Sequence, residues 1–161
     1  TLVLKKIKPT KMSNDMAKRA LFAGSFDPFT KGHYTLVRRA LSMFDSIVIG
    51  IGINSGKRCM FSVEERVKAI EKAFADEERV EVKTYDCLTM DFAKEVGAGI
   101  LLRGVRSTKD FEYERDIADM NFRLGGIETV LLISEPEYSA ISSSVVRELI
   151  TYGKDVSELL P

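Results

Sequence analysis

From Arg19 onward, short apolar runs alternate five times with amphipathic stretches, the rhythm of repeated strand and helix units. The first unit is the strand RALFAG (19–24), followed after a loop by YTLVRRALSMF (34–44), where Leu36, Val37, Ala40, Leu41 and Phe44 form one stripe. The second pairs SIVIGIGI (46–53) with FSVEERVKAIEKAF (61–74), and Ser62 with Glu65 three residues on is a capping box that predicts a helix start. VEVKTY (80–85) precedes TMDFAKEV (89–96), closed by Gly97, and ILLRGV (100–105) precedes DFEYERDIADMNFRL (110–124), closed by Gly125. The fifth strand, ETVLLIS (128–134), leads through a Ser-rich start into VVRELITY (145–152), closed by Gly153. Crossovers of this length between near-continuous apolar strands predict an α/β fold with a doubly wound, five-stranded parallel sheet.

Residues 1–16 are polar and basic with neither period, so they are expected to be a leader outside the core, Met16 to be the natural start, and 17–161 to form one domain. The chain has 24 Lys+Arg against 24 Asp+Glu, which excludes a general electrostatic footprint for nucleic acid or an anionic membrane. It also lacks an apolar run of the roughly 18 residues a membrane span needs, and its opening lacks a signal-peptide core. A cytoplasmic protein with neither nucleic acid nor membrane as partner is expected. Cys59 and Cys87 form no CxxC pair and there is one histidine, so neither a disulfide framework nor a protein-built metal site is predicted.

The dense polar clusters follow the ends of strands: GSFDPFTKGH after the first, NSGKR after the second, RGVRSTKD at the end of the fourth and SEPEYSAISSS after the fifth. In an open parallel sheet these ends share one edge, where ligands bind. His33, Lys57, Arg103 and Arg106 bring cations or donors there. Gly24, Gly32 and Gly104 permit close backbone approach, and helix N-termini at about 33 and 144 offer free N–H groups. Cations gathered at one edge of a neutral chain point to phosphates, from more than one phosphorylated molecule.

Counting excludes two nucleotide motifs. Gly52 to Gly56 encloses three residues where a P-loop needs four, and Arg58 stands where Ser or Thr should bind magnesium. Gly50 and Gly52 lie within a strand and lack the third glycine of a dinucleotide fingerprint; room for close packing or for a flat ligand over the strand explains them better. A lone histidine is usually structural, but His33 follows Gly32 at a helix start in the first strand-to-helix turn, where an imidazole can donate to an oxygen gaining charge.

GSFDPFTKGH resembles the (H/T)xGH signature of the nucleotidyltransferase superfamily, as Thr30-Lys31-Gly32-His33, and ISSSVVRE (141–148) resembles its second signature. RGVRSTKDFEYE is similar to the RGLR…DFEYE segment of the bacterial phosphopantetheine adenylyltransferases, and with KRCMFSVEERV these motifs stand in family order from residue 18 to the end. The resemblance implies a Rossmann-like nucleotidyltransferase fold and reversible transfer of AMP from ATP to 4'-phosphopantetheine, giving dephospho-coenzyme A and pyrophosphate. It implies that His33 stabilises the transition state and that Ser25 and Lys57 hold the attacking phosphate. It places ATP against Ser25, Phe26, His33, Gly104, Val105, Arg106, Glu114 and the segment Tyr138, Ser139, Ala140, Ile141, Ser142, Ser143 and Ser144. It assigns the pantetheine substrate to Ser25, Lys57, Arg103 and Thr89, with Leu88, Asn121 and Glu148 as further candidates. Mg2+ is expected with ATP, ligated by phosphates and water, and the resemblance implies a homohexamer inhibited by coenzyme A.

Ser25, Cys59 and Tyr138 depart from the Thr, Pro and Trp usual in the family. Taken singly, Arg103 and Arg106 read equally well as surface cations paired with Asp110 and Glu114. Lys57 alone is an ordinary loop lysine, and Ser142 to Ser144 can simply cap the last helix. The rivals are a related adenylyl- or cytidylyltransferase with another acceptor, against which RGVR and DFEYE argue, a class I aminoacyl-tRNA synthetase, for which 161 residues are too few, and a non-catalytic nucleotide sensor.

Overall fold

The structure, a computed structural model, describes residues 18–161 except 55 and 57. The expected leader over 1–16 and the candidate Lys57 therefore lie outside the described residues.

The elements run β1 (Arg19–Gly24), α1 (Lys31–Ala40), β2 (Ser46–Gly52), α2 (Val63–Ala73), β3 (Val80–Tyr85), α3 (Thr89–Glu95), β4 (Ile100–Val105), α4 (Thr108–Gly125), β5 (Glu128–Ile133) and α5 (Ser143–Thr151). Short 3-10 turns at Pro136–Tyr138 and Ser157–Leu159 complete them. The strands form one sheet in the order β3-β2-β1-β4-β5, with every pairing parallel. The chain winds outward from β1 to β3 and then returns to the other side of β1 for β4. The switch point thus lies between the carboxyl ends of β1 and β4, where such sheets bind ligands.

Strand alternation sorts the core into two layers. Ala20 and Phe22 of β1 join Ile47, Ile49 and Leu102 against Leu36, Val37 and Ala40 of α1 and Ile70 of α2. Leu21 and Ala23 face the other way, with Val48 and Leu101, onto Phe92 and Ala93 of α3. A strand side-chain period of two with helices on both faces produces this division. The glycines of β2 serve packing: a Cβ on Gly50 would lie 2.9 Å from both Leu21 and Phe92, and the Tyr85 and Phe92 rings stack nearby at 4.5 Å.

The expected capping box of α2 is present, with Glu65 N–H donating to Ser62 Oγ at 3.1 Å and Ser62 N–H donating to Glu65 Oε2 at 2.7 Å. Other boundaries differ from the sequence expectation. α1 begins at Lys31 rather than Tyr34, because Thr30 caps it and its first turn faces a cavity instead of the core. It ends at Ala40, although Leu41 and Phe44 beyond its end are still buried. α4 begins at Thr108, capped by Ser107, and is closed by Gly126 at φ 68° rather than by Gly125. α5 begins at Ser143, so the two helix N-termini expected near 33 and 144 lie at 31 and 143. Gly97 and Gly153 close their helices as expected, each at φ 68°. No described helix is long and apolar enough to cross a membrane.

Candidate active site

Above the switch point lies a cavity of about 370 Å3, walled by the turn after β1, the first turn of α1, the end of β4, the start of α4, Tyr138 and the segment from Ile141 to Ser144. The ends of α1 and α5 both open onto it, so two sets of free N–H groups and two positive helix poles converge there. A second cavity of about 270 Å3 adjoins it on the α3 and α4 side, lined by Leu88, Thr89, Asn121 and apolar neighbours. Ala23, Arg103 and Glu114 line both and mark the boundary between them.

His33 stands at the third position of α1, enclosed by the rings of Phe22, Phe26 and Phe29 at centroid distances of 5.2 to 6.0 Å. Its Nδ1 accepts from Thr30 N–H at 3.0 Å, while Thr30 Oγ1 accepts from His33 N–H at 3.4 Å, a capping box in which histidine replaces the usual Glu. A backbone N–H can only donate, so Nδ1 must carry its lone pair and the ring proton sits on Nε2. Burial among the rings pushes the imidazole from its ordinary 6.5 down to about 4, and the charges of Arg106 and Arg103 push the same way. At neutral pH His33 is therefore an uncharged donor with Nε2–H left to serve the cavity.

Arg103, at the end of β4, donates from Nε and Nη2 to the two carboxylate oxygens of Glu114 at 2.8 and 2.7 Å, and from Nη1 to the Ala23 carbonyl at 2.5 Å. Glu114 is the one buried residue of α4, and this fork fixes both groups between the cavities. Arg106 pairs with Asp110 at 3.0 Å and is exposed. Between them, a Cβ on Gly104 would stand 2.5 Å from Leu36 Cδ1, so a side chain there must displace the buried Leu36.

The turn after β1 is held from several sides. Asp27, 3% exposed, accepts from Met60 N–H and Phe61 N–H at 2.8 and 2.9 Å. Arg66 of α2 donates to the Ser25 carbonyl at 2.7 Å, Arg147 of α5 to the Asp27 carbonyl at 2.6 Å, and Ser143 Oγ to the Pro28 carbonyl at 2.8 Å. Within this frame Phe26 takes φ 46°, a left-handed conformation unfavourable for a residue with a Cβ.

Comparison with known proteins gives this geometry a family. Residues 21–149 match the cytidylyltransferase-like family. Over 144 residues the chain is 57% identical to the phosphopantetheine adenylyltransferase of Phocaeicola vulgatus, covering 89% of this chain and 95% of that one. It is 54% identical to the enzyme of the same name from Bacteroides fragilis, covering 89% and 96%, and 53% identical to that from Porphyromonas gingivalis, covering 88% and 93%. The chain belongs to the phosphopantetheine adenylyltransferase family. Among solved structures it resembles in fold a bifunctional NMN adenylyltransferase/ADP ribose pyrophosphatase from Francisella tularensis, with TM-score 0.68 at 17% identity, and its complex with AMP and a manganese ion, with TM-score 0.65 at 16% identity. The chain spans 90% of its own length in these matches but only 45% and 44% of those structures, and the likeness is one of fold alone.

Of the site residues read from sequence in this family member, the larger cavity brings together Ser25, Phe26, His33, Arg103, Gly104, Arg106, Glu114, Tyr138, Ile141 and Ser142 to Ser144. The smaller one gathers Leu88, Thr89, Arg103 and Asn121. Val105, 7% exposed, is a core residue, and Ser139, Ala140 and Glu148 are exposed and line neither cavity. Ser142 caps α5 by accepting from Val145 N–H at 3.2 Å, and that same helix end opens onto the cavity. The two arginines are both paired, Arg103 with Glu114 and Arg106 with Asp110. Sequence reasoning missed Asp27, Arg66 and Arg147, which frame the first turn. Arg66 carried a signal, a charge four residues before Ile70 on the otherwise apolar face of α2.

Proposed function

We propose that this chain transfers AMP reversibly from Mg-ATP to 4'-phosphopantetheine by direct in-line attack, yielding dephospho-coenzyme A and pyrophosphate. The observation that carries this reading is the pair of adjoining cavities meeting at Arg103 and Glu114, one rich in phosphate-binding groups and the other with an apolar lining suited to a pantetheine arm. The relatives at 53 to 57% identity carry the name of this activity.

In this reading ATP occupies the larger cavity with its phosphates between the N-termini of α1 and α5. A phosphate oxygen of the acceptor attacks the α-phosphorus, the bond to the bridging oxygen breaks, and pyrophosphate leaves. No covalent enzyme intermediate is needed, because positioning and charge neutralisation supply the catalysis. His33 donates Nε2–H to a non-bridging oxygen whose charge grows in the transition state. Ser25 and Lys57 hold the attacking phosphate, while Thr89, Leu88 and Asn121 receive the pantetheine arm.

Magnesium enters as part of the nucleotide substrate. Among the described residues, the carboxylates lining the larger cavity, Asp110 and Glu114, are already engaged by arginines, which suits an ion ligated by phosphate and water. Assembly as a homo-oligomer, a hexamer by family resemblance, is supported by α4, whose Phe111, Met120 and Leu124 are 45 to 56% exposed. Coenzyme A, which contains the product's structure, is the expected feedback inhibitor of the same site, and the cytoplasm the expected compartment.

The deciding experiment is pyrophosphate release from Mg-ATP with 4'-phosphopantetheine, beside nicotinamide mononucleotide, glycerol 3-phosphate and a control without acceptor. Turnover with phosphopantetheine alone is expected. Release with another acceptor would overturn the substrate, and ATP binding without release would leave a nucleotide sensor.

A further inference from the structure

Behind the turn after β1 lies a buried cation that the reaction scheme above leaves unused. Arg66 is 5% exposed, and its hydrogen bonds go to two carbonyls, from Nε to Ser62 at 3.2 Å and from Nη1 to Ser25 at 2.7 Å. Among the described residues it has no carboxylate within ion-pair distance, whereas Arg103 and Arg106 have Glu114 and Asp110. A guanidinium withdrawn from water without a counter-ion is costly, and carbonyl dipoles offset that cost only in part. An anion arriving at Ser25 would complete the compensation.

The carbonyl that Arg66 grips precedes the strained residue. Phe26 at φ 46° lies between the Ser25 carbonyl, held by Arg66, and the Asp27 carbonyl, held by Arg147 at 2.6 Å. The Phe26 ring meets the His33 ring edge-on at 5.2 Å. Fixing the Ser25–Phe26 peptide therefore sets the direction of Ser25 and the wall against which His33 rests.

We propose that Arg66 is a positioning residue of the adenylyl transfer. Its fork locks the Ser25–Phe26 peptide, and its charge, without a carboxylate partner among the described residues, biases that turn toward phosphate before the substrates arrive. This deepens the proposed function, because it rests on Ser25 holding a substrate phosphate.

The test uses the full chain with Arg66→Met and Arg66→Lys, compared by thermal unfolding, calorimetric binding of inorganic pyrophosphate, and kcat and KM for both substrates. Methionine fills much of the same space and removes an unpaired buried charge, so Arg66→Met should keep a Tm near that of the wild type. Its kcat should fall roughly 10²-fold, the usual consequence of misplacing a reacting group, and its pyrophosphate affinity at least about tenfold. Arg66→Lys should restore pyrophosphate affinity to within a few-fold, but its kcat should stay about tenfold low, because an ammonium lacks the planar fork that spans two carbonyls. Wild-type kcat in Arg66→Met would overturn the proposal, as would a loss that merely follows the unfolded fraction. If the methionine variant does not fold, wild-type kcat in Arg66→Lys overturns it instead. Pyrophosphate binding needs no acceptor, so a wild-type chain inactive with phosphopantetheine would refute the functional reading and still leave the Arg66 comparison to be read.

Discussion

His33 is the single histidine of the chain, so replacing it isolates its contribution to the pH dependence of folding. In the folded state its pKa is about 4 against an ordinary 6.5. As pH falls below the higher value the unfolded chain takes up a proton that the folded chain refuses, and stability is lost down to the lower one. Stability from this group is thus fully present above about pH 6.5 and declines toward pH 4. Linkage for this one site between the folded and unfolded states gives a loss of about 2 kcal/mol between pH 7 and pH 5. The perturbation is His33→Gln, and the assay is urea unfolding of both proteins near pH 7 and near pH 5. Gln Oε1 can still accept from Thr30 N–H, but the variant will start lower because it loses the imidazole's packing against Phe26 and Phe29, and the wild-type curve should fall toward it by about 2 kcal/mol as pH drops. Parallel curves, or an imidazole proton NMR titration with its midpoint above about pH 6, would refute the derivation that a backbone donor and three aromatic rings keep this ring neutral. The same derivation expects no loss of turnover centred near pH 6.5 attributable to this residue.

Three further outcomes follow from the same geometry. Gly104→Ala places a Cβ 2.5 Å from Leu36 Cδ1 in a packed wall, and should cost about 1–3 kcal/mol in denaturant unfolding while raising the KM for ATP. Glu114→Ala releases Arg103 from its fork and leaves a partly buried guanidinium facing both cavities; KM should rise for both substrates in steady-state assays, with Glu114→Gln intermediate. Thr129 Oγ1 is buried without a partner among the described residues, so Thr129→Val should hold or raise stability by up to about 1 kcal/mol in thermal unfolding, and a clear loss of Tm would show that the hydroxyl is satisfied.

Much of this architecture is local in origin and therefore legible in the chain. Five apolar runs of strand length, a capping box at Ser62 and Glu65, and glycines at 97 and 153 placed the alternating units, because each depends on neighbours a few residues away. The polar clusters after four strands also located the functional edge, since strands crossing over in parallel bring their carboxyl ends together. Where the sequence misplaced an element, tertiary contacts had changed the rule. The helix after β1 was read from its apolar stripe, yet its first turn faces a cavity and carries its signal in Thr30 and His33 instead.

What the sequence by itself determined is therefore the fold class, the polarity of the sheet and, through three motifs in register, the family. Only the tertiary structure decided which partners those residues take. RGVRSTKDFEYE holds two arginines and several carboxylates, and sequence spacing left their pairing open; the fold gives Glu114 to Arg103 inside and Asp110 to Arg106 at the surface. The same holds for the bonds that tie Asp27 to Met60 and Phe61, Arg66 to Ser25 and Arg147 to Asp27, which join residues 33 to 120 apart in the chain. Periodicity reports which face of an element is apolar, but a buried charge is placed by carbonyls and N–H groups that only the folded chain brings within reach.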